Sequence, residues 1–338
     1  MYIYYCLLLI PIIVVINKIF IKKNFLLNFS GELHQKFTSN NLTPLSGGFI
    51  LIFFFILYLP KETYDLPIFL SLFFILGVLA DNNFIKSPSS RILIQLIIIL
   101  ALVINSNIRI DDVRISYINY LLEFEILNYI FLVFCLLILI NGTNFIDGCN
   151  TLVLGYYILV TIFLLKLNLF TDVEVSNLFI LNFLFTLFIL YLFNLFGKLF
   201  LGDNGVYLIS LIFGYLLINI YSKNSHISPY FIVLLLWYPA FENLFSLIRK
   251  VVKKISPMLP DTNHFHQLLY FFLKDKFFKK KIFANSVTAN LINLYNGIIF
   301  FVSLNDISNT KLQLSLIIIN IFVYLIIYFN LYKYKISK

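Results

Sequence analysis

The chain has 338 residues, 61% of them hydrophobic and only 12% charged, which excludes an ordinary soluble globular domain. Three cysteines are too few and odd in number for a disulfide framework and suggest no zinc site. The formal net charge of +9 sits on basic clusters that hug apolar stretches, which argues against nucleic acid as a partner. The composition predicts an all-α, polytopic integral membrane protein forming one domain over residues 1–338.

A membrane span needs roughly 20 apolar residues, and eleven stretches approach that length. The first, 2–17, lacks the charged start and small-residue cleavage site of a secretory signal and reads as a retained helix. Stretches 45–60 and 66–80 follow, after which the chain turns polar at Asp81 and Asn82, with Lys86, Ser87, Pro88, Arg91 and Gln95 beyond. A carboxylate at the end of a span can position a nucleophile arriving from the lipid, so Asp81 is a catalytic candidate. Lys86 and Arg91 read equally well as anchors around a tight turn.

Stretches 92–108 and 126–140 lead to a second polar segment, Asn141-Gly-Thr-Asn-Phe-Ile-Asp-Gly-Cys-Asn150. A turn needs two or three such residues, whereas Asn141, Asn144, Asp147 and Asn150 recur at steps of three and could line one side of a helical turn. Stretches 151–166 and 177–196 come next. Gly202-Asp203-Asn204-Gly205 then opens stretch 205–221, and alone it is a common turn; at the mouth of a span its carboxylate can bind a hard cation, Mg²⁺ favouring one or two protein groups plus substrate phosphates. After stretch 229–248 a basic loop carries Pro260-Asp261-Thr-Asn-His264-Phe-His266, two imidazoles suited to phosphate oxygens, before stretches 288–304 and 312–332 close the chain.

Loops 18–44, 81–91, 141–150, 197–204 and 249–287 and the C-terminus fall on one face. That face holds all the Lys and Arg except Lys61, Arg109, Arg114, Lys166, Lys223 and Lys311, so 19 of the 25 lie there and the face is expected to be cytoplasmic. All four polar motifs share it, as one active site for a charged, water-soluble substrate requires. A transporter or lipid-linked sugar flippase is the rival class. Carriers place ionisable groups near the bilayer midplane, often in repeated halves, whereas these acids stand at helix ends.

The ordered set resembles the polyprenyl-phosphate N-acetylhexosamine-1-phosphate transferases, the glycosyltransferase family 4 enzymes of the bacterial envelope typified by WecA, TagO and MraY. The resemblance runs from about residue 34 to 270. His34 with Pro44, Gly47 and Gly48 is similar to the family's opening motif, and Asp81 with Ser87, Pro88, Arg91 and Gln95 to its first acidic one. Asn141, Asn144, Asp147 and Gly148 fit Asn-x-x-Asn-x-x-Asp-Gly; Gly202, Asp203 and Gly205 fit Gly-Asp-x-Gly; Asp261, His264 and His266 fit Pro-Asp-x-x-His-x-His. Four departures stand out: Asn82 replaces a second Asp, Val206 a Ser, Glu242 an Asp common among relatives, and the spacing from Asn194 to Asp203 is one residue short.

The resemblance implies about eleven transmembrane helices around a cytoplasmic-facing groove in the bacterial inner membrane. It implies transfer of an N-acetylhexosamine 1-phosphate, by default GlcNAc-1-phosphate, from a UDP-N-acetylhexosamine to undecaprenyl phosphate with release of UMP, initiating a lipid-linked envelope polysaccharide such as O-antigen. Asn144 and Asp203 would hold Mg²⁺, with Mn²⁺ as a substitute. Asp81, Asp147, His264 and His266 would be catalytic, the two histidines contacting the pyrophosphate, and Asn82, Lys86, Asn141 and Asp261 would bind substrate. Membrane lipid is a further partner and a homodimer is compatible with the family. The ending His266-Gln267 is closer to WecA-like members than to the triple-His loop of MraY.

Overall fold

A computed structural model describes residues 2–27, 42–59, 66–170, 177–257, 259 and 261–338, with backbone alone at 2–7 and 177. His34, Pro260 and the side chain of Cys6 therefore lie outside the described residues. The described residues form fourteen helices: α1 (Tyr2–Lys23), α2 (Gly47–Tyr58), α3 (Leu66–Asp81), α4 (Pro88–Ser106), α5 (Ser116–Leu122), α6 (Glu125–Ile146), α7 (Leu152–Lys166), α8 (Asn177–Leu195), α9 (Gly202–Lys223), α10 (Pro229–Leu235), α11 (Trp237–Val252), α12 (Phe265–Lys276), α13 (Lys281–Ser303) and α14 (Thr310–Ile336). Their only β pairing is an isolated bridge between Leu27 and Pro44. The fold is all-α, as expected of a polytopic membrane protein.

Every one of the eleven apolar stretches contains a helix. By length and composition α4, α6, α8, α9, α13 and α14 can each cross a membrane, and α10 with α11 makes a seventh if that pair is one span. The pair is not straight: it bends by 76° at Leu236. The cause is Pro239, which has no N–H to offer the carbonyl of Leu235. The hydroxyl of Tyr156 donates to that carbonyl instead, at 2.9 Å.

The central element is α9, which packs against α2, α3 and α6 and is buried along most of its length. In lipid, helix association is driven by close packing and hydrogen bonding rather than by exclusion of water, and small residues permit the approach. Gly48 and Gly77 do so here. A Cβ on Gly77 would lie 2.3 Å from the Cα of Asn204, and one on Gly48 2.6 Å from its carbonyl carbon.

At about 1.5 Å per residue, α9 runs about 33 Å from Gly202 to a clamp at the opposite end. There the guanidinium of Arg114 donates to the carbonyls of His226, Ile227 and Ser308 and to the Thr310 hydroxyl, tying three loops together. The Tyr221 hydroxyl, near the end of α9, donates to the carbonyl of Asp112. The polar motifs gather at the other end. Helices α2, α3 and α7, about 18, 24 and 22 Å long, each have one end there. Against a hydrocarbon core of about 30 Å, these three helices are shorter than a full span.

Candidate active site

The first wall of the site is built on the N-terminus of α9. Helix N-termini leave backbone N–H groups without intrahelical partners and favour negative charge. Asp81, the last residue of α3, supplies it: one carboxylate oxygen accepts from the N–H of Asp203 at 2.9 Å, the other from the N–H of Asn204 at 3.0 Å and from its side-chain amide. The carboxylate thereby joins the end of α3 to the start of α9 and fixes where Asp203 points.

The carboxylate of Asp203 lies between two neighbours. Arg91 Nη1 donates to Oδ2 at 2.9 Å, and Asn144 Nδ2 donates to Oδ1 at 2.6 Å. Arg91 is itself held in place by the carbonyl of Ile85, at 2.8 Å from Nε. Asn141, one turn before Asn144 on α6, donates to Gln95 Oε1 and to the carbonyl of Leu137, both at 2.9 Å. The amide nitrogen of Gln95 is buried with no partner.

Asp147 caps α6 at its C-terminal end, and no hydrogen bond is formed by its half-buried carboxylate among the described residues. Burial, and then the charges of Asp203 and Asp81, hold that carboxyl well above the ordinary carboxylate range. Three acids thus lie close enough to feel one another's charge while a guanidinium pairs with Asp203 alone, an acid excess that suits a bound cation. Among the described residues no three His, Cys, Asp or Glu side chains are grouped to ligate one ion. A donor set of carboxylate and amide suits Mg²⁺, which keeps most of its positions for water and substrate phosphate; the residues present fit it.

The row at steps of three ends early. Because α6 stops at Ile146, Asn150 leaves its face and is buried, its N–H donating to Asn285 Oδ1 at 2.6 Å and its amide to the carbonyl of Asn194 at 3.0 Å. Asn150 locks a turn. Asn82 also faces away from the cluster, donating to the carbonyl of Val78 one turn back in α3 at 3.0 Å, and Lys86 is exposed on the turn before α4.

The second wall is the loop into α12. His264 Nδ1 lies 2.9 Å from Oε1 of Glu242, a carboxylate with no exposed surface that also accepts from the N–H of Phe265 at 3.2 Å and the hydroxyl of Tyr324 at 2.7 Å. Gln267 caps the start of α12 by accepting from the His264 N–H at 3.1 Å. Asp261 receives Arg249 Nη2 at 2.6 Å, while Arg249 Nη1 donates to the carbonyl of Asn263 at 2.7 Å. Burial pushes the Asp261 carboxyl upward, but His264, the Asn263 N–H and Arg249 outweigh it and the group sits below its ordinary range. Asp261 is thus engaged in shaping its own loop.

His266 is fully enclosed, and neither ring nitrogen has a hydrogen-bond partner. Burial first, and then the neighbouring His264, lowers its pKa to about 3, so the ring is neutral. Its Nε2 would lie 2.3 Å from a Cβ placed on Gly148, so this glycine is what lets the loop meet the end of α6. The two walls converge there: the ring of Phe145 packs 5.1 Å from that of His264, and Asp147 stands beside Gly148. Sequence reasoning named neither Arg249 nor Tyr324 as site members and counted Glu242 only as a departure. For Glu242 the signal was present, an acid inside an apolar span.

Comparison with known proteins supports a transferase, and the long apolar helices are those of a membrane protein. Residues 65–221, which hold the whole acid cluster, match the glycosyl transferase family 4 model. A relative from Bacillus subtilis (strain 168), named a probable undecaprenyl-phosphate N-acetylglucosaminyl 1-phosphate transferase, is 26% identical over 258 residues, covering 74% of this chain and 67% of the relative.

Proposed function

We propose that the chain transfers an N-acetylhexosamine 1-phosphate, GlcNAc-1-phosphate by default, from a UDP-sugar to undecaprenyl phosphate and releases UMP. The observation that carries this reading is the meeting of an acid cluster and a His-bearing loop at the end of α6. The B. subtilis relative's name specifies the same acceptor and the same transferred group. An oxygen of the acceptor phosphate attacks the β-phosphorus of the donor; the bond from that phosphorus to the bridging oxygen breaks, and UMP leaves with the electron pair.

Phosphoryl transfer needs positioning and charge neutralisation more than covalent help. Asn144 and Asp203 would hold Mg²⁺, which supplies a Lewis acid against the pyrophosphate charge. Asp81 keeps Asp203 in place from behind, Asp147 is the carboxyl group free to face the acceptor, and His264, whose Nδ1–H is committed to Glu242, donates Nε2–H to phosphate when the ring carries both protons. Membranes containing the protein, incubated with Mg²⁺, undecaprenyl phosphate and a panel of UDP-N-acetylhexosamines, are expected to release UMP, and EDTA to stop it. UMP release that is absent with every donor, or indifferent to EDTA, would overturn the assignment.

The basic bias of the motif face supports a cytoplasmic site. Lys279→Cys should resist a membrane-impermeant maleimide applied to intact cells, whereas Asp111→Cys on the opposite end should react. The reverse labelling pattern would invert the orientation.

A further inference from the structure

On α14, outside the segment that matches the family, Tyr324, Tyr328 and Tyr332 recur every four residues and share one face. Their rings stack in sequence, centroids 5.9 and 6.1 Å apart. Each hydroxyl ends on a different part of the wall that carries His264. Tyr324 donates to Glu242 Oε2 at 2.7 Å; Tyr328 accepts from Arg249 Nη1 at 3.0 Å and lies 3.1 Å from the carbonyl of Asn263; Tyr332 accepts from Lys253 at 2.7 Å. One turn further, Lys335 donates to the carbonyl of Thr262 at 2.8 Å and to Asn263 Oδ1 at 2.9 Å.

A buried tyrosine ordinarily finds some partner for its hydroxyl, so one such bond would mean little. Here three successive phenols and a lysine all reach residues 242–263. The innermost contact matters most for the chemistry, because Glu242 spends its other oxygen on His264 Nδ1 and the Phe265 N–H. A buried carboxylate holds its geometry only while its lone pairs are satisfied.

We propose that α14 is a positioning element for the His264 loop, with Tyr324 acting through Glu242 to hold the imidazole in one tautomer and one orientation. The catalytic consequence rests on the function proposed above, whereas the tether does not. Tyr324→Phe deletes the hydroxyl and keeps the ring against Phe241, Phe245 and Phe265, so the bundle retains its packing.

In this variant kcat is expected to fall about tenfold with the donor KM within about twofold, the pattern of a misaligned rather than a vacated site. Amide exchange across residues 261–267 should quicken about fivefold or more while α13 keeps its protection. Tyr332→Phe, which loses only an exposed partner, should stay within about twofold of the parent in both readouts. Parental kcat in Tyr324→Phe, unchanged exchange at 261–267, or faster exchange spread through α13 would each overturn the proposal. If the parent protein releases no UMP, the exchange comparison still decides the tether, and the failure belongs to the proposed function.

Discussion

Asp203→Ala is expected to lower UMP release by about a thousandfold or more while the protein stays folded in the membrane. The carboxylate is where Arg91, Asn144 and the start of α9 meet, and nothing else in the cluster can replace it: Asp81 is occupied by the helix terminus and Asp147 belongs to a different helix. Hydrogen bonds to charged groups contribute about 1.5–3 kcal/mol each. The stability loss should be smaller than the sum, because the Arg91 and Asp203 side chains keep 24% and 19% of their surfaces open. A monodisperse variant in detergent with activity within tenfold of the parent would remove Asp203 from the site.

Asp81→Asn is expected to cost about a hundredfold or more in turnover, whereas Asn82→Ala should cost less than about threefold and Asn82→Asp should be tolerated. An amide keeps one acceptor oxygen but points an NH₂ where the carboxylate received a backbone N–H, so a donor meets a donor at the entrance to α9. The Asn82 amide only bonds the carbonyl of Val78, so the departure from the family's acidic pair falls on a side chain turned toward its own helix. Steady-state UMP release from the three variants, normalised to protein in the membrane, makes the comparison. Near-parental turnover in Asp81→Asn alongside an inactive Asn82→Ala would mean that the amide, not the carboxylate, is the required group.

The helices were legible because a span is a long run of one property. Their departures from straight spans were not, since hydropathy is blind to backbone direction: stretch 229–248 reads as continuous although Pro239 bends it at Leu236. Helix α12 was also missed, because a loop of mixed charge carries no apolar period; it forms around the His264 and Gln267 cap and packs on α13 and α14. In the site, Asp81, Asn141, Asn144, Asp147 and Asp203 drew attention as polar side chains ending apolar runs, and the structure gathers them. Asn150 shared the spacing but not the helix. Glu242, Arg249 and Tyr324 take their places from partners chosen through space, and Tyr324 is 82 residues along the chain from Glu242. Such pairings leave no local pattern to read.

The two walls differ in stiffness. One rests on backbone pressed against backbone, with Gly48 and Gly77 leaving no room for a methyl group between α2, α3 and α9. The other hangs from the ends of long side chains, Arg249, Lys250 and Lys335, whose head groups grip loop carbonyls through several rotatable bonds. Under the proposed function, the helix-packed wall would fix the line of attack on phosphorus, and the wall of side-chain grips is where a single deleted hydroxyl or ammonium should be felt first.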